Sequence, residues 1–199
     1  MAILLVGSAL SACSTTTNPD SLAQNDPYEP TNRKIFEFNQ SLDKHVARPV
    51  AVFYNHVVPE PARDGIHNML DNMDEPVTFA NDVLQGEKSR ALETFGRVVI
   101  NSTLGIGGLI DMASKMGIPD HSEDFGQTLG VWGVGEGPYF VAPLLGPAPP
   151  RDLGGRVVDY GFDPFTYARF DGYRMLGYVR AGMGVLDLRA RNIDTLDQI

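Results

Sequence analysis

From Asp26 onward, apolar residues recur three and four positions apart, and prolines break the runs. That spacing is the signature of amphipathic helices with punctuated ends. Pro30-Thr31-Asn32 opens a helix in which Ile35, Phe38, Leu42 and Val46 share a face, and Arg48-Pro49 is expected to end it. Val50 to Val58 reads as a short second segment closed by Pro59. A third starts at Pro61, with Ile66, Met69, Leu70 and Met73 on one side. A fourth starts at Pro76, with Val77, Ala80, Val83 and Leu84 pointing inward and Gly86 as its stop. Glu87 to Thr103 is the longest candidate, with Leu92, Phe95, Val99 and Ser102 along one face. A last helix is expected from about Asp171 to Asn192. It carries Met175, Leu176, Val179, Met183 and Leu186, and Arg180, Arg189 and Arg191 suit the dipole near its end. Alternating runs are few, so strands are at most minor. The fold class is mostly α, built from short helices punctuated by Pro and Gly.

Between these helices the pattern changes. Leu104-Gly105-Ile106-Gly107-Gly108-Leu109-Ile110-Asp111 is apolar yet rich in glycine, and Phe125 to Tyr139 sets Phe, Leu, Val, Trp and Tyr among glycines. Glycine lets backbones approach closely or adopt positive φ, at an entropic cost within regular elements. A backbone pressed against lipid or another protein uses such residues, as membrane interfaces do.

The N-terminal segment is patterned differently again. Met1 to Ala9 is a short apolar stretch ending in small residues, and Leu10-Ser11-Ala12 precedes Cys13, the only cysteine. This is the h-region and cleavage-site chemistry of a secretory signal, too short to span a bilayer. Leucine at the third position before the cysteine, with small residues between, makes a lipobox. Cys13 is therefore the expected lipid-attachment site and first residue of the mature protein. No Lys or Arg precedes it, and a start upstream of Met1 is expected to supply the usual positive n-region. Residues 13–25 are polar and read as a flexible acylated tether, spanning roughly 20 Å as a coil. The domain proper is expected over residues 26–199.

Composition narrows the partners. Net charge is −9 and no charged residue lies in the first 12, so the mature chain keeps it. Such a surface repels nucleic-acid phosphates and lacks the basic clusters that dock on anionic head groups. Attachment to a membrane then falls to acyl chains and apolar contacts, at about 0.8 kcal/mol per buried CH₂. The chain has 21 glycines and 14 prolines, which favours interrupted elements. A single cysteine allows no internal disulfide.

Seven runs, in order, resemble the MlaA/VacJ family of outer-membrane lipoproteins: Asp26-Pro27-Tyr28-Glu29-Pro30-Thr31-Asn32-Arg33, Arg48-Pro49-Val50-Ala51, Val58-Pro59-Glu60-Pro61-Ala62-Arg63, Asn101 to Asp111, Asp124 to Gly130, Gly135-Glu136-Gly137-Pro138-Tyr139 and Arg151-Asp152. The resemblance covers Asp26 to about Asn192. It implies a single ring-like, mostly helical domain in the inner leaflet of the outer membrane. It further implies an amphipathic channel that takes phospholipids strayed into the outer leaflet and passes them to a soluble periplasmic carrier, with a trimeric porin bracing the ring. It places Leu104, Gly105, Ile106, Gly107, Gly108, Leu109 and Ile110 on the border of that channel. Ser14 after the cysteine, as in bacterial lipoproteins generally, favours the outer membrane. Family members continue past the position of Ile199, so a C-terminal truncation is expected.

Other chemistries have weaker footing. His45, His56 and His67 are evenly spaced, but prolines interrupt any common helix and no HxxxH pair exists; no metal site or cofactor is expected. Gly105-Ile106-Gly107-Gly108 lacks the Gly-Lys-Ser/Thr of a phosphate loop. Asp74-Glu75 and Glu123-Asp124 are the raw material of glycosidase chemistry, which keeps a lipoprotein cell-wall hydrolase open as an alternative. Pro76 directly after Glu75 makes a helix start the preferred account. No catalytic residue is assigned, and no GxSxG elbow is present. A porin-binding structural lipoprotein without transport activity is the third reading.

Overall fold

The computed structural model describes residues 15–169 and 171–198. Cys13 and the signal and acylation readings lie outside the described residues.

Pro19–Ala23 (α1) forms one helical turn capped by Asn18, whose side chain accepts from the Asp20 amide. The described part of the segment read as a tether is thus partly ordered. It also docks on the domain, since Asn25 Nδ2 donates to Gly137 O at 2.7 Å and its carbonyl accepts from the Tyr139 amide.

Glu29–Leu42 (α2) runs through a π-helical turn, Asp43–Ala47, straight into Arg48–Val57 (α3). The expected stop at Arg48-Pro49 does not occur. The Arg48 amide reaches back to Asp43 O, a wider i→i−5 bond, and Pro49 then occupies the first turn of α3, where its missing N–H costs nothing.

Glu60–Gln85 (α4) is one helix of 26 residues with Pro76 inside it. The two helices expected there are one, because packing along Lys88–Thr103 (α5) carries the chain through the break in its hydrogen-bond ladder. Gly86 at φ 80° closes α4 in the left-handed conformation, as expected. Short helices Met112–Lys115 (α6) and Phe125–Val131 (α7) follow. A two-residue antiparallel pair joins Val141–Ala142 (β1) to Gly146–Pro147 (β2). Pro150–Phe162 (α8), a 3₁₀ turn at Pro164–Thr166, Tyr173–Arg191 (α9) and Ile193–Leu196 (α10) complete the chain.

The mostly α class holds, but burial runs opposite to the expected direction. On α5 the inward positions are Ala91, Thr94, Arg97 and Asn101. Leu92, Phe95 and Val99 are exposed, Leu92 at 72%. On α4 the buried residues include Glu75, Thr78, Asn81 and Asp82, while Val83 and Leu84, expected inward, face out. One conventional apolar cluster exists where Ala51 and Tyr54 of α3 meet Ala190 of α9, with Val58, Ile66, Met183 and Leu186 around it.

Candidate functional site

The interior of α4, α5 and α7 is a polar network. Glu75 and Arg97, both under 5% exposed, pair at 2.7 Å. Arg97 also reaches Asp120 at 3.0 Å and Asp111 at 3.3 Å, and donates to Ser114 Oγ and the Ile118 carbonyl. Burial pushes the Glu75 carboxyl up to about 7, against the hydrogen bond and charge of Arg97. One turn further, Asp82 accepts from Thr94 Oγ1 at 2.6 Å and faces His121 Nε2 at 3.0 Å. Asn81, fully buried, donates to Asp159 of α8 at 2.9 Å and accepts from Thr128 of α7 at 2.8 Å. Each helix is therefore held by partners on its neighbours. A polar group buried without partners costs about 1–3 kcal/mol, so this network demands its own completeness.

Beside the network lies a cleft of about 740 Å³ between α4, the stretch 122–124, α8, the 3₁₀ turn and α9. Its apolar wall is Val77, Phe165 and Leu176, with Tyr160, Tyr173 and Tyr178 turned toward it. Arg180 crosses one side, bonded to Asp74, to Asp163 at 2.6 Å and to the Met73 carbonyl at 3.2 Å, its guanidinium 5.2 Å from the Phe165 ring centre. Asp163 also accepts from the Phe165 amide, which fixes the 3₁₀ turn. The lining thus offers apolar surface and charge side by side.

The segment Leu104 to Ile110 forms a chain of tight turns after α5, with Ile106, Gly107 and Gly108 at φ 55°, 69° and 91°. A Cβ at Gly105 would lie 2.2 Å from Ile110 O, and one at Gly108 would lie 2.8 Å from Asn72 Cβ. These two glycines are required by close approach, and the amides of Gly105, Gly107, Gly108 and Ile110 are all bonded. Leu104, Ile106 and Leu109 project outward, 61%, 67% and 43% exposed. The turn packs on α4, where Asn68 donates to Leu109 O. None of its residues lines the large cleft.

Other sequence readings fall into place. Glu75 lies mid-helix rather than at a helix start, because α4 runs through Pro76. Glu123 is held by Arg90 at 2.6 Å and Gln85 at 3.0 Å. Asp124 caps α7, accepting from the Gln127 amide. His45, His56 and His67 sit on the π turn, α3 and α4, with His67 between Asp187 at 2.8 Å and Asp71 at 3.1 Å. Arg189 and Arg191 are tertiary ties, not dipole partners alone: Arg189 pairs with Asp43 and Asp197, and Arg191 with Asp64 and Asp187. Sequence reasoning missed the cleft because its walls come from segments about 80–100 residues apart. The available signal was the scatter of Arg and Tyr through an otherwise small and apolar α9.

A family model described as MlaA lipoprotein matches residues 24–199. The chain belongs to the MlaA lipoprotein family. It is 35% identical, over 98% of its own length and 78% of the relative's, to a Haemophilus influenzae protein named intermembrane phospholipid transport system lipoprotein MlaA. The Escherichia coli protein of that name is 38% identical over 82% of this chain and 66% of its own length. An uncharacterised Rickettsia felis protein is 39% identical, and the match spans 71% of this chain and 57% of that protein. The chain thus spans little more than half the length of some curated relatives it matches. A solved structure described as "Structural basis for maintenance of bacterial outer membrane lipid asymmetry" superposes with a TM-score of 0.75 at 37% identity, covering 85% of each chain. Family membership accounts for the ordered set of motifs from Asp26 to Asp152 and extends the likeness to the fold.

Proposed function

We propose that this chain removes glycerophospholipids from the outer leaflet of the outer membrane and passes them to a soluble periplasmic carrier, contributing to lipid asymmetry. It does so as a lipoprotein anchored through Cys13 in the inner leaflet, braced by a trimeric porin, and without catalysing a reaction. The observation that carries this reading is the reversal of burial. Asn81, Asp82, Thr94 and Thr128 are fully enclosed, while Leu92, Phe53, Val157 and Tyr178 are more than 65% exposed. Apolar surface left in water forfeits about 25 cal/mol per Å², and contiguous exposed apolar surface marks contact with membrane or partner. Among the described residues no helix is long and apolar enough to cross a membrane, which agrees with seating in one leaflet.

A lipid passage needs apolar walls that tolerate a charged head, and the cleft beside Arg180 combines both. Leu104 to Ile110 borders the lipid path at the membrane face, its outward side chains supporting that role. Moving a lipid breaks no bond, and the two candidate catalytic carboxylates, Glu75 and Glu123, are each engaged by an arginine. The test is mass spectrometry of lipids co-purifying with the protein in mild detergent from native outer membrane. Glycerophospholipid enriched over a control lipoprotein is the expected result. No enrichment would overturn the reading, and peptidoglycan hydrolysis lost on changing Glu75 and Glu123 would replace it.

A further inference from the structure

Five carboxylates and three arginines line the large cleft, and their partners divide them unequally. Glu123 is taken by Arg90 and Gln85, and Asp159 by Asn81 and the Phe125 amide. Arg180 is neutralised by Asp74 and Asp163. Two cations remain. Arg156 has no hydrogen bond or ion pair among the described residues, and Arg174 bonds only the hydroxyl and ring of Tyr173.

These two arginines are placed alike. Arg156 stands one turn before Tyr160 on α8, and Arg174 one turn before Tyr178 on α9, and all four side chains line the same cleft. Both tyrosines are more than 70% exposed. Guanidinium forks match phosphate oxygens in two-bonded geometry. Tyrosine rings favour the boundary between apolar and wet surroundings. An anion of charge −2 would meet the surrounding carboxylates unfavourably, as would a lipid of net negative charge. A head group that carries its own cation beside the phosphate instead finds Asp74, whose contact with Arg180 uses one oxygen only.

We infer that Arg156 and Arg174 hold the phosphate of a zwitterionic phospholipid, with the cationic end of its head group turned toward Asp74. This rests on the lipid-passage reading and adds to it a site and a preference among lipids.

The test offers the full acylated chain mixed micelles of phosphatidylethanolamine, phosphatidylglycerol and diacylglycerol in equal amounts, and reads bound lipid by mass spectrometry. Phosphatidylethanolamine is expected to dominate. Arg156→Gln with Arg174→Gln should cut it about tenfold or more, as for loss of a charge-assisted hydrogen bond, and leave diacylglycerol unchanged. Arg156→Lys with Arg174→Lys should retain most of it. Circular dichroism checks that each variant folds, and the single Arg156→Gln serves if the double does not. Undiminished phosphatidylethanolamine in the folded Gln variant would overturn the arginine assignment while leaving lipid passage standing. Preference for phosphatidylglycerol would overturn the zwitterion. Displacement of bound lipid by inorganic phosphate would overturn a lipid head group as the ligand. An absence of all lipid from the unmodified chain would fell the passage and this site together.

Discussion

Gly155 of α8 faces Gly126 of α7 so closely that a Cβ on Gly155 would lie 2.4 Å from the Gly126 amide nitrogen. Two backbones meet here with no side chain between them, which sets how near α8 approaches the polar network and hence one wall of the cleft. Gly155→Ala is expected to force the helices apart and destabilise the fold by about 1–3 kcal/mol. Gly154→Ala, one residue earlier, meets nothing within 4 Å and should instead stabilise α8 by about 0.5–1 kcal/mol. Denaturation midpoints in detergent, followed by circular dichroism, separate the two. Equal effects would show that the helix contact is not the constraint.

The Glu75–Arg97 pair predicts a pH dependence. Burial raises the Glu75 carboxyl from 4.5 to about 7, so the folded state holds a proton that the unfolded state has already released. Stability from this group therefore falls as pH rises between those two values. Asp111, Asp120 and His121 face the same pair, so the comparison needs Glu75→Gln, which should flatten the slope. Arg97→Met leaves the carboxylate buried and alone and is expected to cost about 3–5 kcal/mol near pH 8, with less near pH 5. A Glu75→Gln slope identical to that of the unmodified chain would refute the assignment.

Ile106 is a β-branched residue at φ 55°, in a region such residues rarely occupy, and it is 67% exposed. Strain of about 1–3 kcal/mol is held there with no packing to show for it within the protein. Ile106→Gly should raise stability by about 1 kcal/mol, because glycine accepts this conformation freely. If the turn borders the lipid path, the same change should lower lipid transfer to acceptor vesicles. Gly107→Val is the poorer probe, since φ 69° at Gly107 would add strain of its own. Full transfer by a stabilised Ile106→Gly chain would remove the turn from the path.

The outward stripe of α5 makes the last prediction. In a chain carrying Cys13→Ala, to remove the anchor, membrane retention should fall but not vanish. Adding Leu92→Ser, Phe95→Ser and Val99→Ser should release the protein into the soluble fraction, still helical. These side chains are 72%, 55% and 46% exposed, so their loss leaves few internal contacts broken. Fractionation after high-salt washing reads the outcome. Unchanged retention would mean that α5 does not face lipid.

Some of this was legible in the chain. Helical spacing located most of the helices within a few residues, and Gly86 was recognised as a stop because a left-handed residue there has almost one chemical solution. Prolines were over-read. Pro49 and Pro76 look like breaks in one dimension, but a π turn absorbs the first and packing against α5 carries the second. The glycines from Gly105 to Gly108 were noticed for their number, and the model separates those that a neighbour requires from the one that φ requires.

The cleft was beyond reach of sequence reasoning, since Val77, Arg156, Phe165 and Arg174 meet only when α4, α8 and α9 are folded together. The sequence by itself determined the helices, the family and the two faces of each helix. Only the tertiary structure decided which face turned inward. Periodicity divides a helix into an apolar and a polar side, yet the side that is buried depends on what surrounds the protein. On α4 and α5 the polar side went in, where Asn81, Asp82, Thr94 and Arg97 found partners on neighbouring helices. The apolar side was left for a medium in which its exposure carries no cost.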